Sequence, residues 1–242
     1  MVKPTHELKV KIFADGAEAQ TMIDLAAEPI IKGFTTNPTL MRKAGITDYV
    51  GFAKSVLGKI KDKPISFEVF SDEFNEMERQ ARIINSWAEN VYVKIPVTNT
   101  RSESSGELIK KLSSQCIKLN VTAILTLPQV ETVSRFLNPK IPAIVSVFAG
   151  RIADTGVDPM PIMKKAKEIL LPYPKFELLW ASSRELLNIY QAEEIGVDII
   201  TVTSEILKKT GMVGYDHREL SIETVKMFYE DGQKVGYTLY ES

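Results

Sequence analysis

Eight short runs of apolar and β-branched residues recur along this chain, and nearly every one is followed by a segment with helical spacing. The runs are VKIFAD (10–15), KGFTTN (32–37), ISFEVF (65–70), VYVKIPV (91–97), LNVTAILT (119–126), AIVSVFAG (143–150), FELLWAS (176–182) and DIITVT (198–203). They begin 22 to 33 residues apart, about the length of one strand, one helix and two short loops. Strands that alternate with helices pair in parallel, because each crossover returns the chain to the same end of the sheet. Eight of them in 242 residues predict an α/β fold with a single domain over 1–242, a closed (β/α)8 barrel of the TIM type. An open doubly wound sheet is the alternative. It would usually have fewer strands, and Asp15-Gly16 is followed by Ala-Glu-Ala where a dinucleotide fold would place its glycine-rich turn.

The segments between the strands carry helical signals. AEAQTMIDLAA follows Asp15, DYVGFAKSVLGKI has apolar residues at helical intervals, and FNEMERQARIINSW sets Met77, Ala81, Ile84 and Trp87 on one stripe. SSGELIKKLSSQCIKL opens with Ser and Glu, as a capped helix does, and DPMPIMKKAKEILL and SRELLNIYQAEEIG complete the series. The tail SIETVKMFYEDGQKVGYTLYES predicts an additional C-terminal helix over about 221–236. Its Val225, Phe228 and Tyr229 need a surface to cover, on this subunit's barrel or a neighbour's.

Composition narrows the functional classes. The formal net charge is −1 with 25% charged residues, so no basic footprint for nucleic acid or an acidic membrane is expected. One cysteine, Cys116, cannot form an internal disulfide, which fits a reducing compartment. With only His6 and His217 beside it, no metal site of the usual ligand type is expected. MVKPTHELKV has no apolar core of signal-peptide length, and no run approaches the ~20 apolar residues of a membrane span. The expected address is the cytoplasm.

Strands of a parallel barrel are buried on both faces and should be nearly all apolar. Here most carry a polar residue: Asp15 on the first, Thr35 and Asn37 on the second, Glu68 on the third and Lys94 on the fourth. Asn120 and Thr122 lie on the fifth, Ser146 on the sixth, and Ser182 at the end of the seventh. In VYVKIPV, alternation puts Val91, Val93, Ile95 and Val97 on one face and Tyr92, Lys94 and Pro96 on the other. The aliphatic face should meet the helices, so Lys94 turns into the barrel, where a lysine is costly unless paired or neutral. Each position has a bland reading. Asp15-Gly16 can be a turn, Glu68 and Lys94 a structural ion pair, Thr122 strand filler, and Ser182-Ser183-Arg184 a helix cap. None of these explains the set as a whole, and barrel enzymes build their sites from the inner faces and C-terminal ends of several strands.

The set suits chemistry at a carbonyl. Desolvation disfavours an ammonium, so a lysine among apolar strands is a usable nucleophile toward a ketone or aldehyde. The protonated imine it forms is an electron sink that lets a neighbouring C–C bond break, and Asp15 and Glu68 can shuttle the protons. Asn37, Asn120 and Ser146 suit sugar hydroxyls. Arg151 and Arg184, each just past a strand end, suit a phosphate.

The same residues carry a resemblance to the transaldolase family that runs from Ile12 to about Tyr237. Its most specific pieces are GFTTNPTL (33–40), VYVKIPVT (91–98), NVTAIL (120–125), SVFAGRIAD (146–154) and WASSR (180–184). The resemblance implies a cofactor-free, ping-pong transfer. Lys94 forms a Schiff base with the C2 ketone of fructose 6-phosphate or sedoheptulose 7-phosphate. Glu68 and Thr122 hold a water for carbinolamine dehydration, and Asp15 takes the C4 hydroxyl proton as C3–C4 breaks. The dihydroxyacetone unit, held by Asn37, Asn120 and Ser146, then passes to an aldose phosphate. Thr35 and Phe148 join the substrate-binding set, while Arg151, Ser182 and Arg184 bind the phosphate. Short-form relatives often assemble into rings of five or ten subunits, so the resemblance also implies a homo-oligomer.

Fructose-6-phosphate aldolases, close relatives that release free dihydroxyacetone, typically have Gln in place of Glu68 and Tyr in place of Phe148, and lack the groups at Asn120 and Ser146. All four positions here side with transaldolase. The alternatives are such a lyase, a transaldolase for another anionic ketose, and a non-catalytic sugar-phosphate binding protein. Two departures from the family pattern stand out. The usual S-P-F-V-G-R reads Ser146-Val147-Phe148-Ala149-Gly150-Arg151, which changes packing positions, and the chain is shorter than the long-form transaldolases, which bears on the outer loops and acceptor pocket.

Overall fold

A computed structural model describes residues 2–239; the ends of the expected domain, Met1 and 240–242, lie outside the described residues. Eight strands close into a barrel in chain order: β1 (Lys11–Asp15), β2 (Ile31–Thr35), β3 (Ile65–Glu68), β4 (Val91–Pro96), β5 (Leu119–Ile124), β6 (Ala143–Val147), β7 (Phe176–Trp180) and β8 (Ile199–Thr203). Each neighbouring pair is parallel, and β8 returns to β1. Helices α1 (Ala19–Ala26), α2 (Pro38–Lys43), α3 (Tyr49–Lys59), α4 (Phe74–Asn85), α5 (Gly106–Ser114) and α6 (Leu127–Phe136) follow the first five strands. α7 (Ala149–Ala153), α8 (Met160–Leu170), α9 (Leu187–Ile195) and α10 (Ser204–Lys208) follow the last three, and α11 (His217–Val235) is the tail. The (β/α)8 barrel with an additional C-terminal helix is thus the observed fold.

Two apolar layers hold it. The larger lies between the outer strand faces and the helices. There Val91, Val93 and Ile95 meet residues such as Met77, Ala81 and Ile84 of α4, all fully or nearly fully buried. Each such aliphatic side chain contributes ~1.5–3 kcal/mol of burial. The smaller layer fills the barrel itself. Phe13, Ile144, Leu179 and Ile199 form it, with Tyr92 and Phe148 packed against them. The inward polar residues gather on one side of this layer, around a cavity that opens at the C-terminal mouth of the barrel.

Several strands stop earlier than the sequence pattern predicts. Asn37 leaves β2 to cap α2, its Oδ1 accepting from Leu40 N at 3.0 Å, with Pro38 at the first helical position. Phe148 stands at the N-cap of α7, and Ser182 follows β7 with φ of +60°. The expected series also lacks α2, α6 and the single turns α7 and α10. For α6 the signal was present, since Gln129 Oε1 reaches back to accept from Thr126 N at 3.0 Å. The Ser-Glu start of α5 is in place, but Ser105 makes no cap bond and its hydroxyl is buried without a partner. The tail helix begins at His217, four residues before the expected start, because Asp216 accepts from the backbone N–H of Arg218 and Glu219.

Candidate active site

Strand register decides which side chains meet. Across β3, β4 and β5, Glu68 lies opposite Lys94 and Lys94 opposite Asn120; across β1 and β2, Asp15 lies opposite Thr35. All of these point inward, and together they line a cavity of about 470 Å³ at the C-terminal mouth of the barrel. Every residue expected at the site lines that cavity: Asp15, Thr35, Asn37, Glu68, Lys94, Asn120, Thr122, Ser146, Phe148, Arg151, Ser182 and Arg184.

Lys94 is 5% exposed and stands at the centre. Its Nζ donates to the carbonyl oxygen of Thr36 at 2.8 Å and lies 3.1 Å from Glu68 Oε2. Thr36 turns its carbonyl toward the lysine because β2 ends at Thr35 and the chain swings into α2. Thr122 Oγ1, two residues beyond Asn120 on the same strand face, is buried with no hydrogen-bond partner among the described residues. A buried hydroxyl without a partner is costly, so this one is placed to serve a bound molecule.

Asp15 accepts from Thr35 Oγ1 at 2.8 Å, and Thr35 Oγ1 is 2.5 Å from Thr201 Oγ1 on β8. Burial pushes the Asp15 carboxyl up from its ordinary range, and the Glu68 charge adds to this. Lys94 and the Thr35 bond pull it back only in part. Asn120 is fully buried, donates to Ser66 Oγ at 3.0 Å, and accepts from Ser146 Oγ at 2.6 Å. These three form one rigid polar rank across β3, β5 and β6.

The two arginines stand at the mouth. Arg151 lies over the Phe148 ring, 5.7 Å from its centre. Arg184 Nε donates to Asp154 at 2.9 Å, and a second guanidinium nitrogen bonds the other carboxylate oxygen. That fork holds the Asp154 carboxyl below its usual range and fixes the direction of the guanidinium. The walls carrying the arginines touch: Gly150 N donates to Ala181 O, and a Cβ on Gly150 would lie 1.5 Å from the carbonyl oxygen of Ser182. Ser182 is not a helix cap. Its neighbour Ser183 donates to Thr201 O, and Asn188 accepts from Arg184 N and Glu185 N ahead of α9.

Sequence reasoning missed several participants. Ser66 and Thr201 each had a signal, a hydroxyl residue two positions from a marked residue or on an inward face, but short or β-branched residues pass for strand filler. Tyr49 opens α3 and Asp154 follows α7; neither position carries a spacing that points to its partner. Among the described residues, no group of three or more His, Cys, Asp or Glu side chains converges as metal ligands do, and no helix is long and apolar enough to cross a membrane.

Known proteins share this sequence pattern. A family model described as Transaldolase/Fructose-6-phosphate aldolase matches residues 12–239. A protein of Listeria monocytogenes named probable transaldolase 2 is 34% identical over 202 residues, covering 83% of this chain and 88% of its own. One of Thermoplasma volcanium, named probable transaldolase, is 34% identical over 233 residues, covering 93% of this chain and 96% of its own. Among solved structures, KGPDC from Streptococcus mutans superposes with a TM-score of 0.56 at 10% identity, covering 84% of this chain and 91% of that one. That last likeness concerns the fold alone.

Proposed function

Because the chain belongs to the transaldolase/fructose-6-phosphate aldolase family, we propose that it is a transaldolase, transferring a dihydroxyacetone unit between sugar phosphates through an imine on Lys94. The observation that carries this reading is the setting of Lys94. It is a buried primary amine inside a closed barrel, 3.1 Å from a carboxylate, at the base of a cavity with two arginines at its mouth.

The steps are those the family resemblance implies, and the arrangement of the side chains supports them. Lys94 Nζ loses a proton, for which Glu68 is the nearest carboxylate, and attacks C2 of a ketose phosphate such as fructose 6-phosphate or sedoheptulose 7-phosphate. The carbinolamine loses water, which Glu68 and the unpartnered hydroxyl of Thr122 are placed to hold. Asp15 takes the proton of the C4 hydroxyl; C3–C4 breaks, its electron pair passes into the iminium, and an aldose phosphate leaves. The three-carbon enamine stays on Lys94 until it attacks the aldehyde of a second aldose phosphate. Asp15 returns its proton to the new C4 oxygen, and water held by Glu68 hydrolyses the product iminium to release the ketose phosphate and free Lys94. Asn37 and the Asn120–Ser146 rank hold the hydroxyls of the three-carbon unit, and a rank already fixed by Ser66 costs little ordering when it binds. Arg151, Ser182 and Arg184 take the phosphate, with Phe148 beneath Arg151. Thr35 orients Asp15 through its hydroxyl and faces the substrate beside it. No cofactor is needed in this scheme.

The wider assignments rest on the same reading: one domain over 1–242, a cytoplasmic enzyme of the pentose phosphate pathway, and a homo-oligomer of five or ten subunits. The last is supported by α11, which buries none of its side chains while Ile222, Val225, Phe228 and Tyr229 are exposed.

The test is release of glyceraldehyde 3-phosphate from fructose 6-phosphate with and without erythrose 4-phosphate. Release that depends on the acceptor supports the transfer. Equal release without acceptor makes the protein an aldolase, and silence in both directs the search to another anionic ketose, with borohydride trapping on Lys94 as the readout.

A further inference from the structure

The sheet has a defect beside its most important residue. β2 and β3 pair only through Phe34 with Ile65 and Thr35 with Ser66. Beyond that, Thr36 N donates to Ser66 O at 3.1 Å, and the chain then departs into α2. In a parallel sheet the N–H and C=O of alternate residues point to the same neighbour. Ser66 faces β2, whereas Val69 faces β4, its N–H donating to Lys94 O. Glu68 therefore also faces β2 with both backbone groups, at a level where β2 no longer exists. Orphaned groups at that depth are costly and would let the strand end drift.

A single side chain closes the gap. Tyr49, the first residue of α3, donates its phenol proton to Glu68 O at 2.9 Å and accepts from Glu68 N at 3.0 Å. One oxygen thus replaces the missing carbonyl and the missing amide of a strand residue. The phenol is itself held. Asp48 caps α3 by accepting from Gly51 N, and α3 buries Phe52, Ala53, Val56 and Leu57. The Tyr49 ring stands edge-on to Phe67 and Phe70 and is tilted against Trp87, with centroids 5.5 to 6.3 Å apart.

We propose that Tyr49 is a positioning residue for the reaction: its hydroxyl stands in for the absent β2 residue and so fixes the Glu68 carboxylate against Lys94. The proposal rests on the role given above to Glu68 in making and hydrolysing the imine. It follows that loss of the hydroxyl impairs the steps served by Glu68 more than the C–C cleavage served by Asp15, which sits on β1 in its own chain of threonine hydroxyls.

The experiment compares wild type, Tyr49→Phe, Glu68→Gln and the double variant in single turnovers with fructose 6-phosphate, quenched into borohydride to count imine. Tyr49→Phe is expected to slow imine formation roughly tenfold to a hundredfold, the range in which a displaced catalytic group acts, with KM changed less than about threefold. The double variant should form imine within about twofold of Glu68→Gln alone, since a residue acting only through Glu68 has nothing left to position. Slowing that multiplies onto Glu68→Gln, or that falls equally on imine formation and cleavage, would mark a merely structural role and overturn the proposal. If Glu68→Gln itself forms imine at the wild-type rate, the role of Glu68 fails first and this proposal with it. Amide exchange of wild-type protein gives an independent check, even if Tyr49→Phe does not fold. Glu68 N–H should be protected as well as Phe67 N–H, and free exchange there would overturn the idea.

Discussion

Replacing Gly150 by alanine should separate anion binding from carbonyl chemistry. Gly150 is the second residue of α7, and a methyl group there would lie 1.5 Å from Ser182 O and 2.6 Å from Ser182 C. A carbon and an oxygen in ordinary contact stand roughly 3.2 Å apart, so the two walls must separate by about 1.7 Å. Neither wall yields cheaply. Ala181 N is bonded to Val147 O at 2.8 Å, Ser183 to Thr201 O at 2.8 Å, and Ser182 already sits at φ of +60°. The obstacle is backbone, which cannot change rotamer, so the cost belongs at or above the top of the overpacking range, about 3 kcal/mol. For a chain of this length that lowers the melting temperature by roughly 6–12 °C. The same displacement pulls Arg151 away from Ser182 and Arg184. KM for a phosphorylated acceptor should rise about tenfold, whereas transfer to unphosphorylated glyceraldehyde and borohydride trapping on Lys94 should hold near wild type. The assays are a thermal melt and paired kinetics with glyceraldehyde and its 3-phosphate. A melting temperature within 2 °C of wild type with an unchanged phosphate preference would refute the reasoning, because the close approach would then have no cost.

Lys94→Met should abolish borohydride trapping and turnover, and it should destabilise the fold by about 3–5 kcal/mol, since Glu68 keeps a largely buried charge without its partner; trapping that persists would place the imine elsewhere. Asp15 gives a pH prediction. Its carboxyl is raised in the folded state, so it contributes stability at low pH that is lost as pH rises through the raised value. Asp15→Asn should accordingly melt higher than wild type at pH 7 while losing C–C cleavage, with the difference closing below pH ~4, where both states are protonated; a lower melt at neutral pH would contradict the burial argument. Asp154→Ala should leave the melt within about 2 °C, because the Arg184–Asp154 pair is half exposed and such pairs contribute little. It should raise KM for phosphorylated substrates about threefold to tenfold through loss of the oriented guanidinium; a lowered KM would show that Asp154 competes with the anion.

Much of this was legible in the sequence because two periodicities did the sorting. Alternation in VYVKIPV sent Lys94 inward without any knowledge of its neighbours, and the recurrence of such runs specified the barrel. Positions just past strands were harder to place. Asn37, Phe148 and Ser182 all read as strand residues, since the apolar pattern does not record where hydrogen bonding stops; a following Pro38 and a left-handed turn ended the strands instead. Least legible were the residues that act through the site from outside it. Tyr49 is 19 positions from the residue it holds and Asp154 is 30 from Arg184, and in each case only the closed barrel brings the two together. Local spacing cannot encode a contact whose partner lies on another β/α unit.

Asn37 shows how tightly this chain has tied folding to selectivity. Its Oδ1 is oriented by the N-terminus of α2, which leaves both amide protons of the side chain free for a ligand in the cavity. Aspartate or serine would cap the helix as well but would present the wrong polarity or a shorter reach. Alanine would lose the cap and the donor together. A mutational path that retunes the enzyme at this position must therefore pass through a narrow gate in which one atom keeps the helix and another remakes the ligand contact. Substitution is freer at the mouth, where Phe148 and Arg184 line the cavity without capping a helix through their side chains.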